Sequence, residues 1–118
     1  SEGVEGLSTL PDPVRSDVAG VKLYREQLLK YFPKNEPNRY SLAGYLAGML
    51  FAEGAKRAGR SLTRDGLVTA LETLKGFDTG IVPPMTIGPD HDTQKQGFWV
   101  RVEKGHFKPL SDWIKSDP

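Results

Sequence analysis

One cluster of side chains in this sequence has the chemistry of a metal site: Asp90, His91 and Asp92, with His106 further along the chain. Carboxylates and imidazole are ordinary ligands of Zn²⁺. A glycine and a proline come directly before the cluster, however, and that composition is typical of a turn. Adjacent residues in a polar loop rarely converge on one ion without further ligands. The sequence therefore favours a solvated turn, and no metal and no cofactor is predicted.

Groups for covalent or phosphate chemistry do not stand out either. The 118-residue sequence contains no cysteine, and none of its serines lies in a Gly-x-Ser-x-Gly turn. The segment from Gly76 to Gly80 lacks the Lys-Ser/Thr ending of a phosphate-binding loop. No nucleophile, base and orienting group are recognisable together, so we expect that the protein is not an enzyme.

The charge balance bears on the class of partner. The chain has 16 basic and 15 acidic side chains and a net charge of +1. Without a basic stripe, its aromatic residues are expected to pack in the core rather than stack on bases, and no nucleic-acid partner is predicted. Tyr40 differs from the other aromatics because it lies where a polar loop enters a long helical pattern, and residues at such junctions often face a cleft.

The first half of the chain predicts one short strand and two helices. The strand is expected within residues 3–10, and Asp12 and Pro13 are suited to the cap and first position of a helix. That helix should end at Pro33, where a loop of prolines, asparagines and charged residues begins. The longest helical pattern follows, over residues 41–58. Its Gly44-x-x-x-Gly48 spacing allows close approach of another backbone, so we expect this helix to be substantially buried.

The second half begins with a third helix and then changes period. Gly59 is suited to a left-handed cap, and Thr63 to the cap of a helix that closes at Gly76. Strands are expected at residues 84–88, 98–103 and 106–110, the last two joined by a Lys104-Gly105 turn. The predicted fold class is therefore α/β, with one short N-terminal strand, three helices and a small antiparallel strand unit.

Several motifs resemble one family. The run from Tyr40 to Gly59, with its Gly-Tyr pair and Arg-Ala-Gly ending, and the Leu-Thr-Arg helix start at Leu62 are similar to the type I periplasmic binding proteins of branched-chain amino acid ABC transporters. Phe77-Asp-Thr-Gly80, Gly88-Pro-Asp-His91 and Val102-Glu-Lys-Gly-His-Phe107 follow in the order of that family's last stretch. After His91 this chain departs from the family's usual short glycine turn, which affects only the loop.

The resemblance implies a two-lobed fold of which residues 1–118 are an incomplete, C-terminal segment, with a lobe crossing near residues 34–41. It implies the solute-binding component of an ABC importer, located in the periplasm or anchored as an extracellular lipoprotein. The implied partners are a small-molecule ligand, an amino acid or related carboxylate, and a membrane permease. The alternative is a sensory or regulatory ligand-binding domain of the same fold.

For the ligand site, the family's aromatic at the cleft matches Tyr40, and its neighbour Arg39 is the candidate for a ligand carboxylate, although a solvated loop arginine is the more ordinary reading. The resemblance implies that the family's residues for the ligand's α-amino and α-carboxylate groups mostly lie upstream of this sequence. The segment alone is therefore not expected to bind. Its unpaired apolar surfaces predict self-association, or exchange of a helix or strand between copies.

Overall fold

The computed structural model describes residues 1–116, and the last two residues of the predicted 1–118 segment lie outside the described part. Strand β1 spans Glu5–Ser8. Three helices follow: α1 at Ala19–Tyr31, α2 at Arg39–Ala58 and α3 at Arg64–Leu71, with a short 3₁₀ turn at Gly59–Ser61 between the last two. Strands β2 at Gln96–Glu103, β3 at His106–Pro109 and β4 at Ile114–Lys115 complete the chain.

The four strands form one antiparallel arrangement around β2. Strand β1 pairs with β2 so that Leu7 faces Trp99, and β3 pairs with β2 so that Phe107 faces Val102. The short β4 pairs with the beginning of β2. The predicted strand at residues 98–103 and the Lys104-Gly105 turn are confirmed, because both turn residues have positive φ angles of 52° and 75°, as a two-residue hairpin requires.

The hydrophobic core is built mainly by the helices. Val21 and Tyr24 of α1 and Leu42 and Leu46 of α2 pack with the loop that follows α3, which supplies Met85 and its neighbours. Within residues 1–116, no helix lies along a strand of the sheet. The helices and the sheet are therefore two units that meet at a junction. None of the helices in the described residues is long and apolar enough to cross a membrane.

The predicted start of α1 is wrong by six residues. Asp12 does cap a turn, since its Oδ1 accepts from the amides of Val14 at 2.8 Å and Arg15 at 3.2 Å, but the helix begins only at Ala19. Arg25 donates to the carbonyl oxygens of Pro13 at 3.1 Å and Ser16 at 2.7 Å. These carbonyls bind a side chain and not the amides of a continuing helix, which keeps the segment irregular.

Helix α2 begins two residues earlier than expected, because Asn38 is its cap and accepts from the Ser41 amide at 2.9 Å. The expectation that it is substantially buried is wrong for this chain: three of its residues are buried, namely Leu42, Leu46 and Gly54. No atom of another element lies within 4 Å of a Cβ placed at Gly44 or Gly48. Gly44 and Gly48 are therefore not in close contact with another described element, whereas Gly54 packs against Leu71 of α3.

Of the remaining predictions from the sequence, some are confirmed and others are wrong. Thr63 caps α3 as expected, accepting from the Gly66 amide at 3.0 Å. Gly59 is the C-cap of α2 with a positive φ of 58°, but its ψ of −125° lies outside the predicted left-handed conformation. Helix α3 ends at Leu71, however, short of Gly76. The strand predicted at residues 84–88 is wrong and is replaced by an isolated bridge between Phe77 and Met85. Prolines at 83 and 84 lack the amide hydrogens that a ladder needs.

Candidate functional site

The candidate site is an open cavity of about 730 Å³ at the junction of helices and sheet. One wall is the irregular segment from Pro11 to Val18, before α1. The other wall is the β2–β3 hairpin, together with Trp113. Because the walls belong to different structural units, a relative movement of the two units would change the width of the cavity.

The lining combines aromatic rings with charges of both signs. Phe98 and Trp113 meet edge to face, with ring centroids 4.8 Å apart and planes at 72°. Charged lining residues include Arg15 and Lys108, which are basic, and Asp17, which is acidic. Such a lining suits a small amphipathic ligand that carries one positive and one negative charge. The aromatic rings of the cavity bury the ligand's apolar atoms, while ionised side chains pair with its charged ends.

Arg39, a predicted site residue, lies beside this cavity. Its Nη2 donates to Ser8 Oγ at 3.0 Å, and its guanidinium carbon lies 5.7 Å from the ring centroid of Phe107, which lines the cavity. Ser8 Oγ in turn donates to the carbonyl of Leu10 at 2.7 Å. The guanidinium is thus held by both outer strands β1 and β3, and it retains further N–H donors.

Tyr40, the other predicted site residue, is not a cavity residue. Its side chain is 88% exposed and makes no hydrogen bond or aromatic contact within residues 1–116. The structure therefore places the adjacent Arg39 and Tyr40 in different surroundings: the arginine at the junction and the tyrosine in solvent at the beginning of α2. A ligand contact for either residue stays a prediction.

The buried Tyr24 holds the start of α2 in place through hydrogen bonds. The sequence predicted only ordinary packing for this residue. It is 2% exposed, its hydroxyl accepts from the Asn38 amide at 3.2 Å, and it is hydrogen-bonded to Ser41 Oγ. This places a buried polar anchor under Arg39 and Tyr40. No local pattern pointed to it, because its partners are 14 and 17 residues away.

The cluster of Asp90, His91 and Asp92, whose side chains are of types that bind metal ions, forms an exposed turn. His91 has a φ of 58° and its Nε2 lies 2.8 Å from Glu72 Oε1, while Lys95 donates to Asp90 at 3.3 Å. The hydrogen bond from Lys95 lowers the pKa of Asp90 below its usual value. Within the described residues 1–116, no three acidic or histidine side chains are grouped in a way that could hold a metal ion.

On the sheet, Glu5 and Arg101 are paired across β1 and β2, with Arg101 Nε donating to Glu5 Oε1 at 2.9 Å. The hydrogen bonds to Glu5 raise the pKa of Arg101 above its usual value. Both side chains are well exposed, so this pair contributes little to stability but helps to fix the register of the two strands.

Comparison with known proteins identifies the family. A family model described as periplasmic binding protein matches residues 2–106, which is most of the chain. The chain belongs to the periplasmic binding protein family. None of the curated protein sequences gives a significant match.

Solved structures agree with this family membership. A possible leucine/isoleucine/valine-binding protein from Rhodopirellula baltica SH 1 is 27% identical, with a TM-score of 0.82 over 93% of this chain and 30% of its own. A branched-chain amino acid ABC transporter protein from Thermus thermophilus, with bound valine, is 20% identical, with a TM-score of 0.83 over 98% of this chain and 34% of its own. A leucine-binding protein from Thermotoga maritima MSB8 is 22% identical, with a TM-score of 0.68 over 97% of this chain and 31% of its own.

These matches confirm the predicted resemblance and the α/β class. This periplasmic binding protein chain spans about a third of the length of the solved structures that it matches. The part of the fold that matches this chain is accordingly one part of a larger architecture in those relatives.

Proposed function

We propose that this chain is part of the solute-binding component of an ABC importer, which captures an amino acid without chemical conversion of it. The observation that carries the proposal is the likeness to the Rhodopirellula baltica protein, which covers 93% of this chain at 27% identity. That protein is described as a possible leucine/isoleucine/valine-binding protein, and the Thermus thermophilus relative holds valine. We therefore propose a branched-chain or similar aliphatic amino acid as the ligand, bound between two lobes.

Tyr40 and Arg39 are our proposed ligand contacts within this chain. An 88% exposed tyrosine at the beginning of a helix is available to cover the apolar side chain of an amino acid. The Arg39 guanidinium uses one N–H for Ser8 and has others for a ligand carboxylate. The lobe crossing near residues 34–41 also stays a prediction; in this chain the segment connects α1 to α2.

The proposal extends to location and partners. A solute-binding component of this kind works in the periplasm, or on the cell surface as a lipoprotein, and delivers its ligand to a membrane permease. The 118-residue chain by itself is proposed not to bind the ligand, because it spans about a third of its structural relatives. It is also proposed to self-associate through exposed apolar side chains such as Phe51 and Trp99, which are 57% and 47% exposed.

The test is thermal unfolding of a polypeptide of the relatives' full length that includes this chain, with a panel of amino acids at 1 mM and above. Ligand at a thousandfold excess over Kd adds about 4 kcal/mol to the free energy of unfolding. We expect a shift with valine, leucine or isoleucine that is much reduced by Tyr40→Ala and unaffected by Tyr31→Ala, a matched change at another exposed tyrosine. No shift with any amino acid would contradict the proposal. A transmembrane or kinase segment in the parent chain would favour the sensory alternative, whereas neighbouring permease genes would favour transport.

A further inference from the structure

We propose that Arg39 is a positioning residue that fixes the β2–β3 hairpin against the start of α2 and so sets the width of the junction cavity. This role is separate from the proposed contact with ligand and does not depend on it. It follows from the contacts of the guanidinium within this chain.

The junction has few other connections. No helix within residues 1–116 lies along a strand, and the helical core reaches toward the sheet through Leu10 and Trp113, which are apolar. Apolar contacts of this kind resist separation but tolerate sliding, because they have no preferred direction. A directional hydrogen bond between the two units is therefore the feature that defines their relative position, and Arg39 supplies it.

The backbone of Arg39 is fixed at its own end. It is the first residue of α2, directly after the Asn38 cap, and Asn38 is itself held by the buried hydroxyl of Tyr24. The acceptor is fixed as well. Ser8 is 4% exposed and its hydroxyl hydrogen is donated to Leu10, which leaves the oxygen to accept from Arg39.

The second contact of the Arg39 guanidinium is with Phe107 in β3, which lies on the other side of β2 from β1. Ser8 pairs with Phe98 and Phe107 pairs with Val102, so Ser8 and Phe107 lie on the same face, in the two strands that flank β2. The guanidinium carbon lies over the Phe107 ring, 5.7 Å from its centroid, while Nη2 donates to Ser8. Arginine suits this double contact because it combines a flat, delocalised cation with several donors, whereas lysine offers a point charge.

The hairpin needs such a contact. All four residues of β3 are exposed, and within residues 1–116 its only partner strand is β2. Phe107 and the hairpin residues around it form one wall of the cavity. Loss of the Arg39 contact would thus allow the wall to move away from the segment before α1.

Hydrogen exchange on this chain tests the proposal. The Leu110 amide, which donates to the Trp99 carbonyl at 2.7 Å, reports the end of the hairpin, and the Leu42 amide, which donates to Asn38 at 3.1 Å, reports the start of α2. We expect Arg39→Ala to accelerate exchange of Leu110 about tenfold, given a cation–π contact and one hydrogen bond, and to change Leu42 much less. Arg64→Ala, at the first position of α3, is the matched control and should change neither amide.

Two further variants separate this role from a general loss of stability. Arg39→Ala combined with Phe107→Ala should accelerate Leu110 no more than the stronger single variant, because the contact that Phe107→Ala removes is already absent in Arg39→Ala. In Arg39→Lys the Leu110 amide should exchange about as fast as in Arg39→Ala. The proposal is overturned if Leu110 is unchanged in Arg39→Ala, if Leu42 is accelerated as much as Leu110, if the two substitutions multiply independently, or if lysine restores full protection.

Discussion

Replacing Gly20 by alanine tests how tightly the start of α1 is fitted to the loop after α3. A Cβ at this position would lie 2.5 Å from the carbonyl carbon and oxygen of Gly80 and 2.7 Å from Ile81 Cγ1. The Gly20 amide also donates to the Gly80 carbonyl at 2.9 Å. The added methyl group therefore collides with the backbone to which residue 20 is hydrogen-bonded.

The expected cost follows from what is able to move. Gly80 has a φ of 74° and its amide is held by Asp78 Oδ1 at 2.8 Å, so its backbone is not free to shift in the way that a side chain would. Overpacking costs about 1–3 kcal/mol and a lost hydrogen bond about 1 kcal/mol, while alanine returns up to about 1 kcal/mol of helix propensity. We expect Gly20→Ala to lower the free energy of unfolding by about 2–3 kcal/mol.

Urea denaturation measures this change, and Gly44→Ala is the matched control. A Cβ at Gly44, inside α2, meets nothing within 4 Å, so this variant should gain about 0.5–1 kcal/mol from helix propensity. The two substitutions are chemically identical and should have opposite signs, with unchanged urea m values. A Gly20→Ala variant as stable as the unsubstituted chain would contradict a tight fit between residue 20 and Gly80.

Three further predictions concern the cap, the hairpin turn and the exposed acidic turn. Asn38→Ala should cost about 1 kcal/mol in urea denaturation, because the Ser41 amide loses its acceptor. Lys104→Asn should add about 0.5 kcal/mol in the same assay, since asparagine tolerates a φ of 52° better than lysine. By NMR titration the pKa of Asp90 should lie below its usual 3.8 and return toward it in Lys95→Met. Because the folded-state pKa is depressed, the contribution of this pair to stability is present above pH 3.8 and disappears as the pH falls through the folded-state pKa.

The local signals in the sequence were enough for much of the fold. Thr63 and Gly59 act within one turn of their own position, and β2 follows an alternating pattern, so each could be predicted from neighbouring residues. The start of α1 could not. The chemistry of Asp12 was recognised correctly, but the segment after it is held by Arg25, whose contacts lie 9 and 12 residues back along the chain.

The candidate site was less accessible to sequence reasoning. Arg39 was selected as the neighbour of Tyr40, which the family resemblance matched to the cleft. Its partners Ser8 and Phe107 are in β1 and β3, and no spacing in the sequence predicts these contacts. The prediction that α2 is substantially buried was wrong for a different reason. The small residues at Gly44 and Gly48 allow a close neighbour, but a pattern of this kind does not say whether the neighbour lies within the same 118 residues.

The most direct test of amino acid capture is small-angle X-ray scattering of a polypeptide of the relatives' full length that includes this chain, with and without valine. Binding between two lobes predicts a smaller radius of gyration when valine is present, and the change should saturate at one ligand per chain. The 118-residue chain alone should show no change. A full-length protein whose radius of gyration and scattering profile are the same with valine, leucine and isoleucine as without them would contradict the account.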